Sequence, residues 1–267
     1  MGAGVSVKGR LPTVLWTSVA LLALTACGHA SQQSRPGVGP DSVPDAQAVA
    51  PLTDQLWDTP MGLGWSYLRR AGSKDDDVVT DDSAPFGNQE ILKIIFTPDM
   101  KPDSEPGVHW RTLPNVNEVY AEWWMKLSPN WNSSPAGGGK IAFIWAPGGE
   151  GQMYAGLYGS QAPHHISINT QWAPYGTRVW DPNVARTPIY YDRWYRMAWY
   201  AKWPTKPGAQ NGVVRWWVDG VLGGSYSNVA YPAPVTGFQQ FEFAPTLQMP
   251  PPAEQYMYIG PTRISTW

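Results

Sequence analysis

The chain has 267 residues, with 19 Lys plus Arg against 21 Asp plus Glu, a formal net charge of −2 and only 15% charged residues. That balance excludes a general electrostatic pull toward nucleic acid or an anionic membrane surface. The 27 Gly and 27 Pro punctuate the chain heavily, which argues against long helices and suits many short strands joined by turns.

The N-terminus reads as a targeting segment. Lys8 and Arg10 form a basic region, and 11-LPTVLWTSVALLAL-24 is an apolar stretch of signal length, short for a membrane span. The following 24-LTAC-27 resembles a bacterial lipoprotein processing site, which implies cleavage before Cys27 and diacylglycerol on its thiol. The alternative is an ordinary secretory signal. Residues 1–26 are thus expected as signal peptide. Residues 27–50, rich in Ser, Gln, Pro, Gly and Ala without periodicity, are expected as a flexible tether. Acyl chains would hold the protein to a membrane without spanning it. The expected location is the bacterial cell envelope outside the cytoplasm, or secretion if the lipid is absent. Cys27 is the single cysteine, so no disulfide is expected in the domain.

From residue 51 to 267 the dominant period is two. Strands are expected at 89-QEILKIIFT-97, 116-VNEVYAEWWMKL-127, 140-KIAFIW-145, 152-QMYAGLY-158, 164-HHISINTQW-172, 194-WYRMAWYAKW-203, 213-VVRWWVD-219, 238-FQQFEF-243 and 256-YMYIG-260. A turn or two of helix is expected in 181-DPNVART-187. Asp219-Gly220 is the pair that a type I′ hairpin turn favours. The pattern predicts an all-β, two-sheet antiparallel sandwich of one domain with little helix. In 213–219, Val214, Trp216 and Val218 share one wholly apolar face, so Trp216 is expected in the core and Trp217 outside. The same alternation puts Trp123 in the core and Trp124 outside, beside Glu118, Tyr120, Glu122 and Lys126.

The strand 193-RWYRMAWYAKW-203, the stretch 211-NGVVRWWVDG-220 and the small-residue return 223-GGSYSNV-229 resemble the C-terminal half of concanavalin A-like lectin/glucanase jelly rolls. So do 120-YAEWWMKLSPNW-131 and 139-GKIAFIW-145, and the resemblance spans about 110–260. Laminin-G-like modules and several polysaccharide lyases share this pattern. It implies a jelly-roll sandwich and a glycan-related role, and it does not choose among binders, hydrolases, lyases and adhesion modules.

Sixteen Trp and 13 Tyr offer flat rings on which sugar C–H faces can stack, and they also fill cores. The first expectation is a polysaccharide-binding protein, expected as a monomer, using Trp124, Trp217, Glu122 and Arg215, with Asn169 and Trp172 as a second group. The alternative is a lyase that breaks a uronate glycan by β-elimination, with His164 or His165 and Tyr120 as acid and base. A third reading is a structural or adhesion lipoprotein. Glycoside hydrolysis fits poorly, because Glu118 and Glu122 on one strand stand about 13 Å apart, beyond the usual pair. No cofactor is expected, apart from a possible Ca²⁺ at Asp75, Asp76 and Asp77 in 75-DDDVVTDDS-83, where a solvated acidic loop is the alternative.

Overall fold

The computed structural model describes residues 56–58, 65–69, 74, 76–87, 89–133, 138–149, 151–172, 176–231 and 236–266, with the side chains of 56–58, 172 and 176 left undescribed. The signal peptide, Cys27, the tether, Asp75 and the Trp172 side chain therefore lie outside the described residues. Among those described, no helix is long and apolar enough to cross a membrane.

The described chain is a two-sheet antiparallel jelly-roll β-sandwich. Its strands are β1 (Leu56–Asp58), β2 (Ser66–Arg69), β3 (Asp77–Val79), β4 (Ile91–Phe96), β5 (Gly107–Val116), β6 (Glu118–Leu127), β7 (Gly138–Trp145), β8 (Gln152–Tyr158), β9 (His165–Trp172), β10 (Gly176–Trp180), β11 (Tyr195–Lys202), β12 (Gly212–Val218), β13 (Val221–Val229), β14 (Phe238–Leu247) and β15 (Gln255–Thr266). The first sheet runs β13-β12-β11-β6-β15-β4-β3, with β1 also paired to β15, and the second runs β10-β9-β8-β7-β14-β5-β2. One short 3₁₀ turn, Pro147–Gly149, interrupts the strands.

Alternation builds the core. Trp123 and Met125 of β6, Trp199 of β11 and Trp216 of β12 point inward from the first sheet, and all are buried. Phe241 and Phe243 of β14 meet them from the second sheet, with Trp123 centred 6.1 and 5.7 Å from those rings. Burying a large aromatic side chain stabilises the fold by roughly 1.5–3 kcal/mol. The β12–β13 hairpin turns on Asp219 and Gly220, both at positive φ (52° and 79°), the type I′ geometry. On the return strand a Cβ at Gly224 would lie 2.0 Å from Trp216. The small residues there make room for the indole.

Two expectations need correction. Residues 181–187 hold no helix. Instead Asn183 exchanges hydrogen bonds with the Ser225 backbone (2.8 Å each way), and the amides of Val184 and Ala185 reach Gly223 O. This segment covers the edge of β13, where unpaired backbone groups would otherwise be exposed. Strand β5 was not expected, because Arg111 and Pro114 break the alternation of 107-GVHWRTLPNV-116.

Candidate functional site

The sequence-expected residues fall on two different outer faces. Tyr120, Glu122, Trp124, Arg215 and Trp217 lie on the outside of the first sheet, where each is engaged with neighbouring side chains. Tyr120 donates to Glu122 at 2.7 Å, and Arg196 donates to the same carboxylate oxygen at 2.7 Å. Glu118 accepts from Tyr200 and pairs with Lys202, both at 2.6 Å. Burial first, then the Glu122 carboxylate, pushes the Tyr120 hydroxyl far above its ordinary pKa, which opposes a role as base. Arg215 donates to Ser225 at 3.2 Å. Trp124 is half-buried beside Phe86, ring centres 5.6 Å apart.

Trp217 corrects the stacking expectation. It takes the outward side of β12, yet only 6% of it is exposed. Its cross-strand neighbours are Ala198 and Leu222, and the small alanine leaves room for the indole to lie down on the sheet. An indole so covered offers no free face to a sugar.

The acidic run also divides. Asp76 meets His109 Nε2 at 2.7 Å and accepts from the Ile95 amide at 3.3 Å, while Asp77 lies 3.8 Å from Lys93. Asp81 pairs with Lys126 and accepts from Trp194 Nε1 at 3.0 Å. Among the described residues no group of three or more His, Cys, Asp or Glu could hold a metal ion.

The outer face of the second sheet is different. The alternation of β8 puts Gln152, Tyr154, Gly156 and Tyr158 outside, while Met153, Ala155 and Leu157 fill the core. On β9 the outward set is His165, Ser167, Asn169 and Gln171, paired in register with those positions. Lys140 of β7 stands opposite Gly156. A small open cleft of about 110 Å³ is lined by Asp103, Lys140, Tyr154, Tyr158, Thr246 and Gln248 among others.

Tyr158 is the centre of this face. A Cβ at position 156 would come within 2.7 Å of its ring, so glycine there lets the ring lie back across the strand. Its hydroxyl then donates to Asn169 Oδ1 at 2.8 Å, and the Tyr154 hydroxyl is hydrogen-bonded to it in turn. Asn169 is fully buried, and its Nδ2 has no hydrogen-bond partner among the described residues. An amide left so is costly unless a ligand accepts from it. The His165 ring centre is 5.9 Å from that of Tyr158. Burial, then the nearby Arg186, lowers the His165 pKa, and burial raises that of Tyr158. The imidazole is thus held neutral and the phenol protonated. Burial also lowers the Lys140 pKa, opposed by Asp103 and Glu105.

His164 does not join this cluster. It is buried, with Nδ1 against Gly159 O at 2.9 Å and Nε2 against the Tyr191 hydroxyl at 3.2 Å. Both ring nitrogens are engaged, so it braces the start of β9. Of the sequence-expected residues, His165 and Asn169 are brought together. Tyr154, Tyr158 and Gln152 were missed, although 152-QMYAGLY-158 carries them at period two on one face.

No protein-family model matches the chain, and no curated protein matches it. Solved structures do. An endo-β-1,4-glucuronan lyase from the fungus Trichoderma reesei superposes with a TM-score of 0.58 at 16% identity, over 81% of this chain and 96% of that one. An alginate lyase from a Chlorella virus gives 0.55 at 15% identity, over 76% and 93%. A cellulose-induced protein gives 0.51 at 12% identity, over 76% and 91%. At such identity the likeness is one of fold. The chain shares the jelly-roll β-sandwich fold of these three structures.

Proposed function

We propose that this protein acts on a uronate-bearing polysaccharide at the outer face of the second sheet and cleaves it by β-elimination. The observation that carries the reading is the Tyr158–Asn169 pair, with its unpartnered buried amide and His165 alongside. The two fold neighbours named as lyases of uronate polymers add support.

Elimination needs three things. The uronate carboxylate must be neutralised so that the C5 proton becomes acidic, a base must take that proton, and an acid must protonate the leaving O4. Asn169 Nδ2, buried and unpartnered, donates to the carboxylate once the side chains covering it shift. Neutral His165 takes the C5 proton. The C5–H electrons form the C4=C5 double bond, the C4–O4 bond breaks, and Tyr158 gives its proton to O4. The products are a new reducing end and a conjugated unsaturated uronate.

The test is the appearance of conjugated-uronate absorbance with a panel of uronate polymers. Tyr158→Phe should remove it while leaving binding. Full turnover by this variant would refute the assignment.

A second reading is binding without cleavage. It is favoured by Trp110 and Trp145, half-buried on the same face against Val108, Phe143 and Tyr154, whose indoles suit sugar stacking. Quenching of tryptophan fluorescence with no absorbance change would establish it. We also propose export and lipid anchoring at Cys27. An intact-mass measurement of the mature N-terminus tests this, and an unprocessed chain overturns it.

A further inference from the structure

Arg186 lies beside the proposed site on a segment whose backbone is anchored on both sides. Just past β10, Asp181 accepts from Ser167 of β9 at 2.8 Å, and its carbonyl accepts from the Tyr226 hydroxyl at 2.6 Å. Asn183 is tied to Ser225, and the amides of Val184 and Ala185 to Gly223 O. Ile189 then exchanges backbone hydrogen bonds with His164, at 2.8 Å in each direction. The Arg186 side chain is not spent on any of this. It is exposed, and among the described residues no hydrogen bond or ion pair holds its guanidinium. Its charge reaches the site, because its field at His165 exceeds the opposing field of Asp181. Lys140 of β7 lies on the opposite flank, where Asp103 and Glu105 offset it.

Strand pairing sets these groups in order. Tyr158 of β8 is opposite His165 of β9. The Arg186 segment runs along the other edge of β9, where His164 meets Ile189. His165 thus stands between Tyr158 and Arg186. The elimination gives that order a direction. O4, which takes its proton from Tyr158, leads to the sugar on the non-reducing side. C5, which faces His165, leads through the ring oxygen to C1 and on to the sugar on the reducing side. The reacting uronate sets its own carboxylate at the Asn169 amide, so the next unit toward the reducing end arrives at Arg186. A guanidinium forks onto a carboxylate with two parallel hydrogen bonds. An uncommitted one gives up no existing bond to do so.

Resting on the reading of this face as an elimination site, we propose that Arg186 binds the carboxylate of the sugar that follows the reacting uronate on its reducing-end side. Arg186 is then a specificity-determining residue. It reads a second acid in the chain and fixes the direction in which the glycan lies across β8 and β9.

The test uses the full chain with a 1,4-linked glucuronate trisaccharide, and with the same trisaccharide after its reducing-end carboxyl is reduced to the alcohol. A mannuronate pair is run beside them. Cleavage is read by conjugated-uronate absorbance and binding by tryptophan fluorescence. The parent should show a KM about tenfold higher for the reduced trisaccharide of the pair it cleaves. Arg186→Gln should raise KM about tenfold on the acidic trisaccharide, change kcat little, and no longer distinguish the two. Arg186→Lys should recover part of the difference, since it keeps the charge and loses the fork. A parent that treats both trisaccharides alike, or an Arg186→Gln variant that still distinguishes them, overturns the inference. So does a fall in kcat at unchanged KM, which would mean that Arg186 acts on His165 and not on the sugar. The same pattern in binding with no absorbance rise supports the role of Arg186 and overturns only the elimination step. Absence of both signals with both pairs overturns both.

Discussion

Tyr158 folds back across Gly156 so that its hydroxyl reaches Asn169 Oδ1 at 2.8 Å, on the neighbouring strand. Two residues of one strand thus decide the placement of a group that works with a residue of another. Alanine at 156 would put a methyl 2.7 Å from the tyrosine ring and push the ring off the strand. Gly156→Ala should lower kcat at least about tenfold, roughly 1.4 kcal/mol of barrier, with little loss of melting temperature. Steady-state kinetics beside a thermal melt checks this, and unchanged kcat would show that Tyr158 needs no such bed.

Under the proposed elimination, Asn169 should matter most in the transition state, where charge builds on the uronate carboxylate. Asn169→Ala should reduce kcat about 10²–10³-fold, as loss of one preorganised donor does elsewhere. Asn169→Asp should do at least as much harm, since it sets a carboxylate against the substrate's own. A variant in which only KM moved would mark Asn169 as a simple binding group.

The two adjacent histidines should separate cleanly. His164→Gln loses buried hydrogen bonds to Gly159 O and the Tyr191 hydroxyl and should destabilise the fold by about 1–3 kcal/mol. His165→Gln should leave urea denaturation nearly unchanged and abolish cleavage. Burial lowers the His165 pKa, so its neutral, proton-accepting form persists below the ordinary histidine value of about 6.5. The acid limb of kcat/KM of the parent should therefore fall below that pH. A limb at or above it would assign the base elsewhere.

Trp217 should behave as a structural residue. Trp217→Ala should cost about 3–5 kcal/mol, the range of a buried Trp truncation, as should Trp216→Ala. Trp217→Phe should bind glycan like the parent. A loss of binding in that variant without a loss of stability would return the indole to the ligand site.

Asp81 ties the segment before β4 to the outer face of the first sheet through Lys126 and Trp194, and accepts a local bond from Ser83. Burial acts to raise its pKa, but those hydrogen bonds outweigh it and hold the carboxyl far below the usual range. A carboxylate depressed in the fold contributes stability above its unfolded value of about 3.9 and loses it as pH falls through the folded value. Chemical denaturation of Asp81→Asn against the parent should thus show a deficit of about 1–3 kcal/mol at neutral pH that shrinks below about pH 4. A deficit constant across that window would remove the ion pair as its cause.

Much of the architecture was legible in the residues themselves. Period two marked nine of the strands, the Asp219-Gly220 pair marked the hairpin, and the apolar set Val214, Trp216 and Val218 marked the inward face of β12. These are local facts, because successive side chains of a strand point to opposite faces whatever the partner. The site was less legible, since alternation says which side of its own strand a residue takes and nothing of what lies across from it. Tyr158, Asn169 and Lys140 sit on three strands, and only the pairing of β7, β8 and β9 sets them on one face. Trp217 shows the same limit. Its side of the strand followed from the sequence, whereas its burial depended on Ala198 beneath it, brought there by a strand formed earlier in the chain. Local pattern determined the sandwich; long-range register decided which side chains share each of its two polar faces.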